Sequence, residues 1–151
     1  MSRTGDGSMR VVLAEDSVLL REGLIRLLGE AGTEVVAAVA ARSPVPVELA
    51  VGLTEGQRLS PAVENSAYFL VSEALANVAK HSEATVCRVS VVCEDGRLRV
   101  VVADDGQGGA VLAPGHGLAG LADRLRAVDG VLTVDSPRGG PTRVMGDLPC
   151  P

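Results

Sequence analysis

Short apolar runs and longer amphipathic segments alternate along the sequence, and their order predicts the fold. From residue 47 onward the pattern predicts a strand, a long helix, a hairpin of two strands, a glycine-rich loop, a second helix and two further strands. This order favours an α+β sandwich in which helices pack on one face of a mixed, mostly antiparallel sheet. The strands are predicted at residues 47–53, 85–93, 97–103, 131–135 and 142–148, and the helices at 62–82 and 117–128.

The first part of the chain has a different pattern. Residues 1–8 are polar and predict a flexible leader, whereas residues 9–42 predict a βαβ segment. Two prolines within residues 42–46 break regular structure and indicate a boundary, so we expect a second domain over residues 43–151. The elements of the βαβ segment are predicted at residues 9–14, 17–29 and 34–41.

Composition narrows the class of protein. Hydrophobic residues make up 46% of the chain and aromatic residues 1%, which is typical of a globular domain with an aliphatic core. The net charge of −5 and the lack of a basic stripe argue against a nucleic-acid partner. No apolar run approaches the roughly 18 residues of a membrane span, and no signal-peptide core is present. We therefore expect no membrane segment.

The three cysteines predict no metal site, because their spacing matches no metal-binding pattern. Cys87 and Cys93 fall on one face of a predicted strand, about 20 Å apart at about 3.3 Å per residue. That separation is too long for a disulfide bond. We expect Cys87, Cys93 and Cys150 to be reduced and to serve as packing residues, and we therefore expect a cytoplasmic protein.

Chemistry concentrates in residues 100–124, where a strand ends in Asp104 and Asp105 and a glycine-rich loop leads into a helix near Leu118. A carboxylate accepts hydrogen bonds and donates none, so Asp104 suits the amino group of adenine and not the keto edge of guanine. Glycines allow backbone N–H groups to approach a ligand, and a helix N-terminus favours phosphate. We expect Asp105 to be structural.

The predicted helix at residues 62–82 adds a polar face. Glu73, Asn77 and Lys80 lie roughly opposite its apolar stripe. Taken alone, they fit an ordinary solvated helix face. Glu73 and Asn77 are one turn apart, however, so both side chains can face a single site.

Four motifs now stand in a fixed order: Glu73-x-x-x-Asn77-x-x-Lys80-His81, Asp104-x-Gly106-x-Gly108, Gly115-x-Gly117-Leu118 and Gly139-Gly140-x-Thr142. This succession resembles the catalytic ATP-binding domain of sensor histidine kinases, in the superfamily that includes gyrase, Hsp90 and MutL. The resemblance covers residues 44–150 and is closest to kinases that partner helix-turn-helix response regulators. It implies the histidine-kinase ATPase fold, with ATP and Mg²⁺ as cofactors.

The resemblance also implies roles for the long helix. Asn77 would offer its amide oxygen to Mg²⁺, which takes few protein ligands and keeps phosphate oxygens and waters. Glu73 would be the catalytic residue, ordering a water or polarising the nucleophile. Lys80 and His81 would reach phosphate oxygens.

The glycine motifs would form the rest of the nucleotide site. Asp104 would accept from the adenine amino group, and Thr142 would add a hydroxyl near the base. Gly106 and Gly108 would let the backbone pass beside the base. The residues expected to hold phosphates are Gly115, Gly117 and Leu118.

The N-terminal segment, residues 9–41, resembles the start of a response-regulator receiver, in which an acidic pair such as Glu15 and Asp16 helps to bind Mg²⁺. A receiver also needs a phosphoacceptor aspartate on its third strand, but no Asp occurs between Asp16 and Asp95. We therefore expect a truncated receiver without a phosphorylation site.

Two functions remain open. Both histidines, His81 and His116, lie inside the ATP motifs, so the chain offers no phosphoacceptor histidine elsewhere. One hypothesis is a Mg-ATP-binding kinase domain with weak ATPase activity, or with phosphotransfer in trans to a response regulator or a histidine-bearing kinase domain. The other is a non-catalytic interaction module of a two-component or anti-sigma-type system, which uses nucleotide structurally or not at all.

Overall fold

A computed structural model describes residues 9–13, 44–52, 59–111, 115 and 117–150. Two helices and six strands lie in this part of the chain. The strands are β1 (Met9–Leu13), β2 (Val47–Gly52), β3 (Cys87–Glu94), β4 (Arg97–Asp104), β5 (Val131–Asp135) and β6 (Thr142–Pro149). The helices are α1 (Pro61–Asn77), which continues into one π-helical turn (Val78–Ser82), and α2 (Gly117–Arg126).

The strands form one sheet in the order β1-β2-β3-β4-β6-β5. The pair β2 and β3 is parallel, because α1 connects them, and every other neighbouring pair is antiparallel. The prediction of an α+β fold with helices on a mixed, mostly antiparallel sheet is confirmed. None of the helices in the described ranges is long and apolar enough to cross a membrane.

Helix α1 begins where its sequence provides a cap and a suitable first residue. The Ser60 side chain accepts a hydrogen bond from the backbone N–H of Val63 at 3.3 Å, and Pro61 follows in the first turn. At its other end the π turn stops at Glu83, which adopts a left-handed conformation with φ of 51°. The predicted helix at residues 62–82 is thus confirmed, but its last turn is π-helical.

The core lies between the helices and one face of the sheet. Alternate residues of the central strands point into it, among them Val89, Val100 and Leu148. Gly146 on β6 has no side chain, and a Cβ there would lie 2.3 Å from Leu70 Cδ1 and 3.1 Å from Leu125 Cδ2. A glycine is therefore needed where α1 and α2 both press on the sheet. The buried residues that the two helices contribute are Val63, Ala67, Leu70, Val71, Ala74, Leu75, Leu118, Leu121 and Leu125.

The N-terminal strand belongs to this same sheet. β1 pairs antiparallel with β2, with Met9 opposite Val51 and Leu13 opposite Val47. The strand predicted at residues 9–14 is therefore confirmed. The leader at residues 1–8, the helix at 17–29, the strand at 34–41 and the boundary between domains at residues 42–43 lie outside the described residues.

The expectation that all three cysteines are reduced is wrong. Cys93 and Cys150 form a disulfide bond, with their Cα atoms 6.6 Å apart. Cys93 lies near the end of β3, and Cys150 follows β6, where its N–H donates to the carbonyl oxygen of Gly96 at 2.8 Å. The prediction considered only Cys87 and Cys93, which lie on one strand. It did not consider that β6 ends beside the β3–β4 turn, which brings Cys150 close to Cys93. Cys87 is free and buried, and burial, followed by the charges of Asp104 and Asp105, raises the pKa of its thiol to about 12.

Candidate nucleotide-binding site

A cavity of about 330 Å³ lies between the end of α1, the start of α2 and the part of the sheet where β4 ends and β6 begins. This volume falls within the range of small-molecule pockets. The predicted site residues that line it are Asn77, Asp104, Gly108, Gly117, Leu118 and Thr142. Residues from all four sequence motifs thus line one cavity, although the first motif contributes only Asn77 and the fourth only Thr142.

Asp104 is the one charged residue among the buried side chains of the described chain, with 6% of its surface exposed. It accepts a hydrogen bond from the backbone N–H of Gly106 at 2.7 Å, which explains the position of that glycine. Burial raises the pKa of the Asp104 carboxyl, and the charge of Asp105 acts in the same direction. Hydrogen bonds from the backbone N–H groups of Gly106 and Thr142 act against that rise. A buried acceptor that faces a cavity favours a ligand with a donor group.

The neighbouring carboxylate has a different surrounding. Asp105 is exposed and accepts hydrogen bonds from the Thr85 hydroxyl, from the Thr85 N–H at 2.8 Å and from the Val86 N–H at 3.1 Å. These bonds, led by that of the Thr85 hydroxyl, lower the pKa of Asp105 to about 2. Asp105 therefore fastens the residues before β3 to the end of β4, as expected for a structural residue.

The glycine loop packs against the turn between β5 and β6. Gly108 has φ of +68°, and a Cβ there would lie 1.9 Å from the carbonyl oxygen of Pro137. The two segments also exchange backbone hydrogen bonds, from the Gly109 N–H to the Ser136 oxygen at 3.1 Å and from the Gly139 N–H to the Gln107 oxygen at 2.7 Å. A side chain at Gly108 would separate the loop from the turn, so the glycine is required by close packing as well as by φ.

Sequence reasoning missed Ser136. Its hydroxyl accepts a hydrogen bond from the backbone N–H of Ala110 at 2.9 Å and lies 2.6 Å from the Thr142 hydroxyl. Its only signal in the sequence is a serine at the end of a predicted strand, six residues before the predicted site threonine. Ser136 does not line the cavity but forms hydrogen bonds with residues that do. A sequence motif made of residues expected to touch the ligand therefore does not include it.

The other end of the cavity is formed by helix termini. Gly117 begins α2, and a Cβ there would lie 1.9 Å from Glu73 Oε1. Glu73 is half-buried and lies beside the cavity without lining it, while Asn77 contributes to its wall. The carboxylate and the amide of α1 therefore both face the beginning of α2, where backbone N–H groups favour anions.

Three further predicted residues, Lys80, Gly106 and Gly115, are described and are not part of the cavity wall. Lys80 is exposed in the π turn, and Gly115, with φ of +87°, stands two residues before α2. Gly106 acts through its hydrogen bond to Asp104. The His81 side chain lies outside the described residues. Their predicted contacts with phosphate stay predictions.

The donor set fits Mg-ATP. The described part of the chain holds no group of three or more His, Cys, Asp or Glu side chains arranged for a metal. Mg²⁺ bound with a nucleotide needs no such group, because phosphates and waters supply most of its ligands. Asn77 lies in the wall between the helix termini, where a single protein ligand for such an ion would be required.

Comparisons with known proteins agree with this geometry. No protein-family model matches the chain. The sensor histidine kinase LiaS of Bacillus subtilis is 30% identical over 133 residues, covering 86% of this chain and 34% of LiaS. The histidine-protein kinase/phosphatase DegS of the same organism is 31% identical over 105 residues, covering 66% of this chain and 27% of DegS. The chain thus spans about a third or less of these relatives.

Solved structures give the same fold. The histidine kinase domain of the Erythrobacter litoralis EL346 blue-light-activated kinase superposes with a TM-score of 0.62 at 20% identity, covering 87% of this chain and 70% of that domain. Full-length ShkA in complex with AMPPNP gives a TM-score of 0.60 at 23% identity, covering 85% of this chain and 30% of ShkA. The fold is therefore that of a histidine-kinase ATPase domain, and the sequence relatives are sensor histidine kinases. The receiver-like segment falls mostly outside the described residues and finds no support here.

Proposed function

We propose that the chain binds Mg-ATP as the catalytic ATP-binding domain of a sensor histidine kinase. The observation that carries this proposal is the shared cavity of Asp104 and Asn77. One side chain is a buried acceptor suited to an amino-bearing purine, and the other is a neutral oxygen ligand suited to a magnesium ion. The solved relative ShkA, which binds AMPPNP, supports adenine nucleotide as the ligand.

The residues divide the work between base and phosphates. Asp104 would accept from the adenine amino group, with Thr142 beside it, while Gly108 lets the loop close against the base. Asn77 would hold Mg²⁺, which neutralises phosphate charge when bound. Backbone N–H groups at Gly117 would receive phosphate oxygens at the start of α2.

Glu73 is placed for chemistry at the phosphate end. Its carboxylate lies against Gly117, so it could orient a water or the attacking group of an acceptor protein toward the terminal phosphate. We propose that this end of the site passes the phosphoryl group to a histidine-bearing kinase domain or a response regulator, beside slow hydrolysis.

Calorimetric titration with Mg-ADP and Mg-ATP, with GTP as the control ligand, tests the proposal directly. We expect heat with both adenine nucleotides and none with GTP. Asp104→Asn should weaken ADP binding by about 10- to 100-fold, because a charged hydrogen bond is worth about 1.5–3 kcal/mol.

Asp95→Asn is the matched control for that variant. Asp95 is exposed in the β3–β4 turn, at the opposite end of the sheet, with φ of 51°, which asparagine tolerates. It should leave nucleotide binding unchanged. The absence of heat with every adenine nucleotide would overturn the proposal and leave the non-catalytic interaction module as the better hypothesis.

A further inference from the structure

Ser136 occupies a position that the proposed function does not use. It is half-buried behind the cavity, at the start of the turn between β5 and β6. Three hydrogen bonds converge on it: the Gly109 N–H donates to its carbonyl oxygen, the Ala110 N–H donates to its hydroxyl, and that hydroxyl pairs with Thr142. Gly109, Ala110 and Thr142 all line the cavity. One side chain therefore connects two walls of the site.

The hydrogen bond between the two hydroxyls has a preferred direction. A serine hydroxyl has one hydrogen and two lone pairs, and the Ala110 N–H already uses one lone pair. Donation into an oxygen makes its own O–H a stronger donor, because hydrogen bonds in a chain polarise one another. The 2.6 Å separation fits donation by either hydroxyl, and this polarisation favours Ser136 as the donor to Thr142 Oγ1. In the reverse direction the Ser136 hydrogen would have to point at water.

This direction determines what Thr142 presents to the cavity. If Thr142 accepts from Ser136, its own hydrogen is free to point at a ligand. Thr142 lies opposite Asp104 in the pairing of β4 with β6, and both residues line the cavity. A ligand thus meets an acceptor, Asp104, and a donor, Thr142, next to each other. Adenine matches this pair, because its amino donor is flanked by ring-nitrogen acceptors.

We infer that Ser136 is a positioning residue for base selection, which orients the Thr142 hydroxyl as a donor to a ring nitrogen of adenine. The inference rests on the proposed function, because it requires an adenine nucleotide in the cavity. It adds a residue that touches no ligand, and it assigns the base contact to a hydrogen-bond chain from Ala110 through Ser136 to Thr142.

The test measures dissociation constants for Mg-ADP and for its 1-deaza and 7-deaza analogues, in each of which one of the two ring nitrogens on either side of the amino group is replaced by carbon. Ser136→Ala should weaken ADP binding about 10-fold. For one of the two deaza analogues, the same substitution should change binding by less than about 2-fold, since the acceptor that Thr142 serves is already missing. A purely structural role would weaken all three ligands by the same factor.

Further variants keep the outcome decisive. Ser136→Thr retains the hydroxyl and should restore ADP affinity to within about 2- to 3-fold. Thr142→Val should weaken ADP binding as Ser136→Ala does, and the double variant no further than Thr142→Val alone. Ser90→Ala, on the opposite face of the sheet, is the matched control and should have no effect. If Ser136→Ala does not fold, Ser136→Cys, measured under reducing conditions, keeps the volume with a weaker hydrogen-bonding group.

The possible failures can be told apart. If the unmodified chain binds no adenine nucleotide, the proposed function fails and this inference fails with it. The role of Ser136 is overturned, while the proposed function stands, in two cases. In the first, the unmodified chain binds ADP and Ser136→Ala binds it with the same affinity. In the second, Ser136→Ala weakens the binding of ADP and of both analogues by the same factor.

Discussion

The two ends of the cavity are built in different ways. At the base end, Asp104 and Thr142 stand on paired strands, and Ser136 secures the glycine loop with hydrogen bonds of 2.9 and 3.1 Å. At the phosphate end, Glu73 and Gly117 meet where helices end or begin. The base end is thus fixed by sheet register and by hydrogen bonds that the fold itself makes, whereas the phosphate end depends on side chains that are only partly buried.

This difference separates affinity from turnover. Binding discrimination requires an arrangement that exists before the ligand arrives, and the base end has that property through its buried carboxylate. In the proposed function, Glu73 acts at the terminal phosphate, and its carboxylate is only half-buried. Changes at the base end should therefore alter stability and affinity together, whereas a displacement of the Glu73 carboxylate should alter the rate of hydrolysis more than either.

The largest expected effect is that of Gly108→Ala. A Cβ there would lie 1.9 Å from the Pro137 oxygen and 2.6 Å from the Gly140 oxygen, both backbone atoms that cannot move aside easily, and φ is positive. We expect the free energy of unfolding to fall by about 2–5 kcal/mol, with loss of ADP binding. Urea unfolding followed by calorimetric titration would measure both.

Gly120→Ala is the control for this substitution. Gly120 is exposed on α2, and no atom lies within 4 Å of a Cβ placed there. Alanine should stabilise the helix by about 0.5–1 kcal/mol and leave ADP binding unchanged. Equal effects of the two substitutions would show that the loop does not pack against the turn as described.

Gly117→Ala should act on rate. Its Cβ would meet the Glu73 carboxylate, the far end of a flexible side chain, so Glu73 can rotate away at little cost to the fold. Stability should change by less than about 1 kcal/mol. ATP hydrolysis should slow by on the order of 10- to 100-fold, because small displacements of a reacting group cost that much. Steady-state hydrolysis and ADP titration, each compared with Gly120→Ala, would separate kcat from affinity; a loss of affinity without a loss of kcat would contradict the division between the two ends.

The same division explains what sequence could predict. The base end could be predicted from local sequence, because a strand that ends in Asp104 and is followed by glycines indicates where the strand stops and which side chain accepts a hydrogen bond from the ligand. Ser136 escaped because its contacts with Ala110 and Thr142 depend on how two distant segments pack. Lys80 is exposed, as a polar helix face predicts, but it lies in a π turn that no periodicity predicts, and its contact with phosphate stays a prediction.

The disulfide escaped for a similar reason. Cys93 and Cys150 are 57 residues apart, and only the order of strands in the sheet makes them neighbours. Spacing along one strand could exclude a bond between Cys87 and Cys93 but could not find their true arrangement. Local rules therefore predicted the elements and six of the residues that line the cavity, and missed what depends on sheet order.

The smallest expected effect concerns the adjacent carboxylates, whose contributions to stability should have opposite dependence on pH. Burial raises the pKa of Asp104, so its carboxylate is protonated at a higher pH in the folded chain than in the unfolded chain. The folded state is therefore stabilised as pH falls through the raised pKa toward 3.8. Hydrogen bonds from Thr85 and Val86 lower the pKa of Asp105 to about 2, so its contribution is complete above about 3.8 and is lost as pH falls through 2.

Urea unfolding from about pH 7 to about pH 3 measures this opposition through two variants. As pH is lowered toward 3.8, the free energy of unfolding of the unmodified chain should rise relative to that of Asp104→Asn. Over the same pH range, the difference in free energy of unfolding between the chain and Asp105→Asn should stay constant, and it should shrink only below pH 3.8. ADP affinity should fall only as pH is lowered through the raised pKa of Asp104, because protonation of this carboxylate removes the acceptor that the adenine amino group requires. Parallel profiles for the two variants would mean that the neighbouring carboxylates share one environment, and that the base end is not the buried acceptor on which nucleotide selection depends.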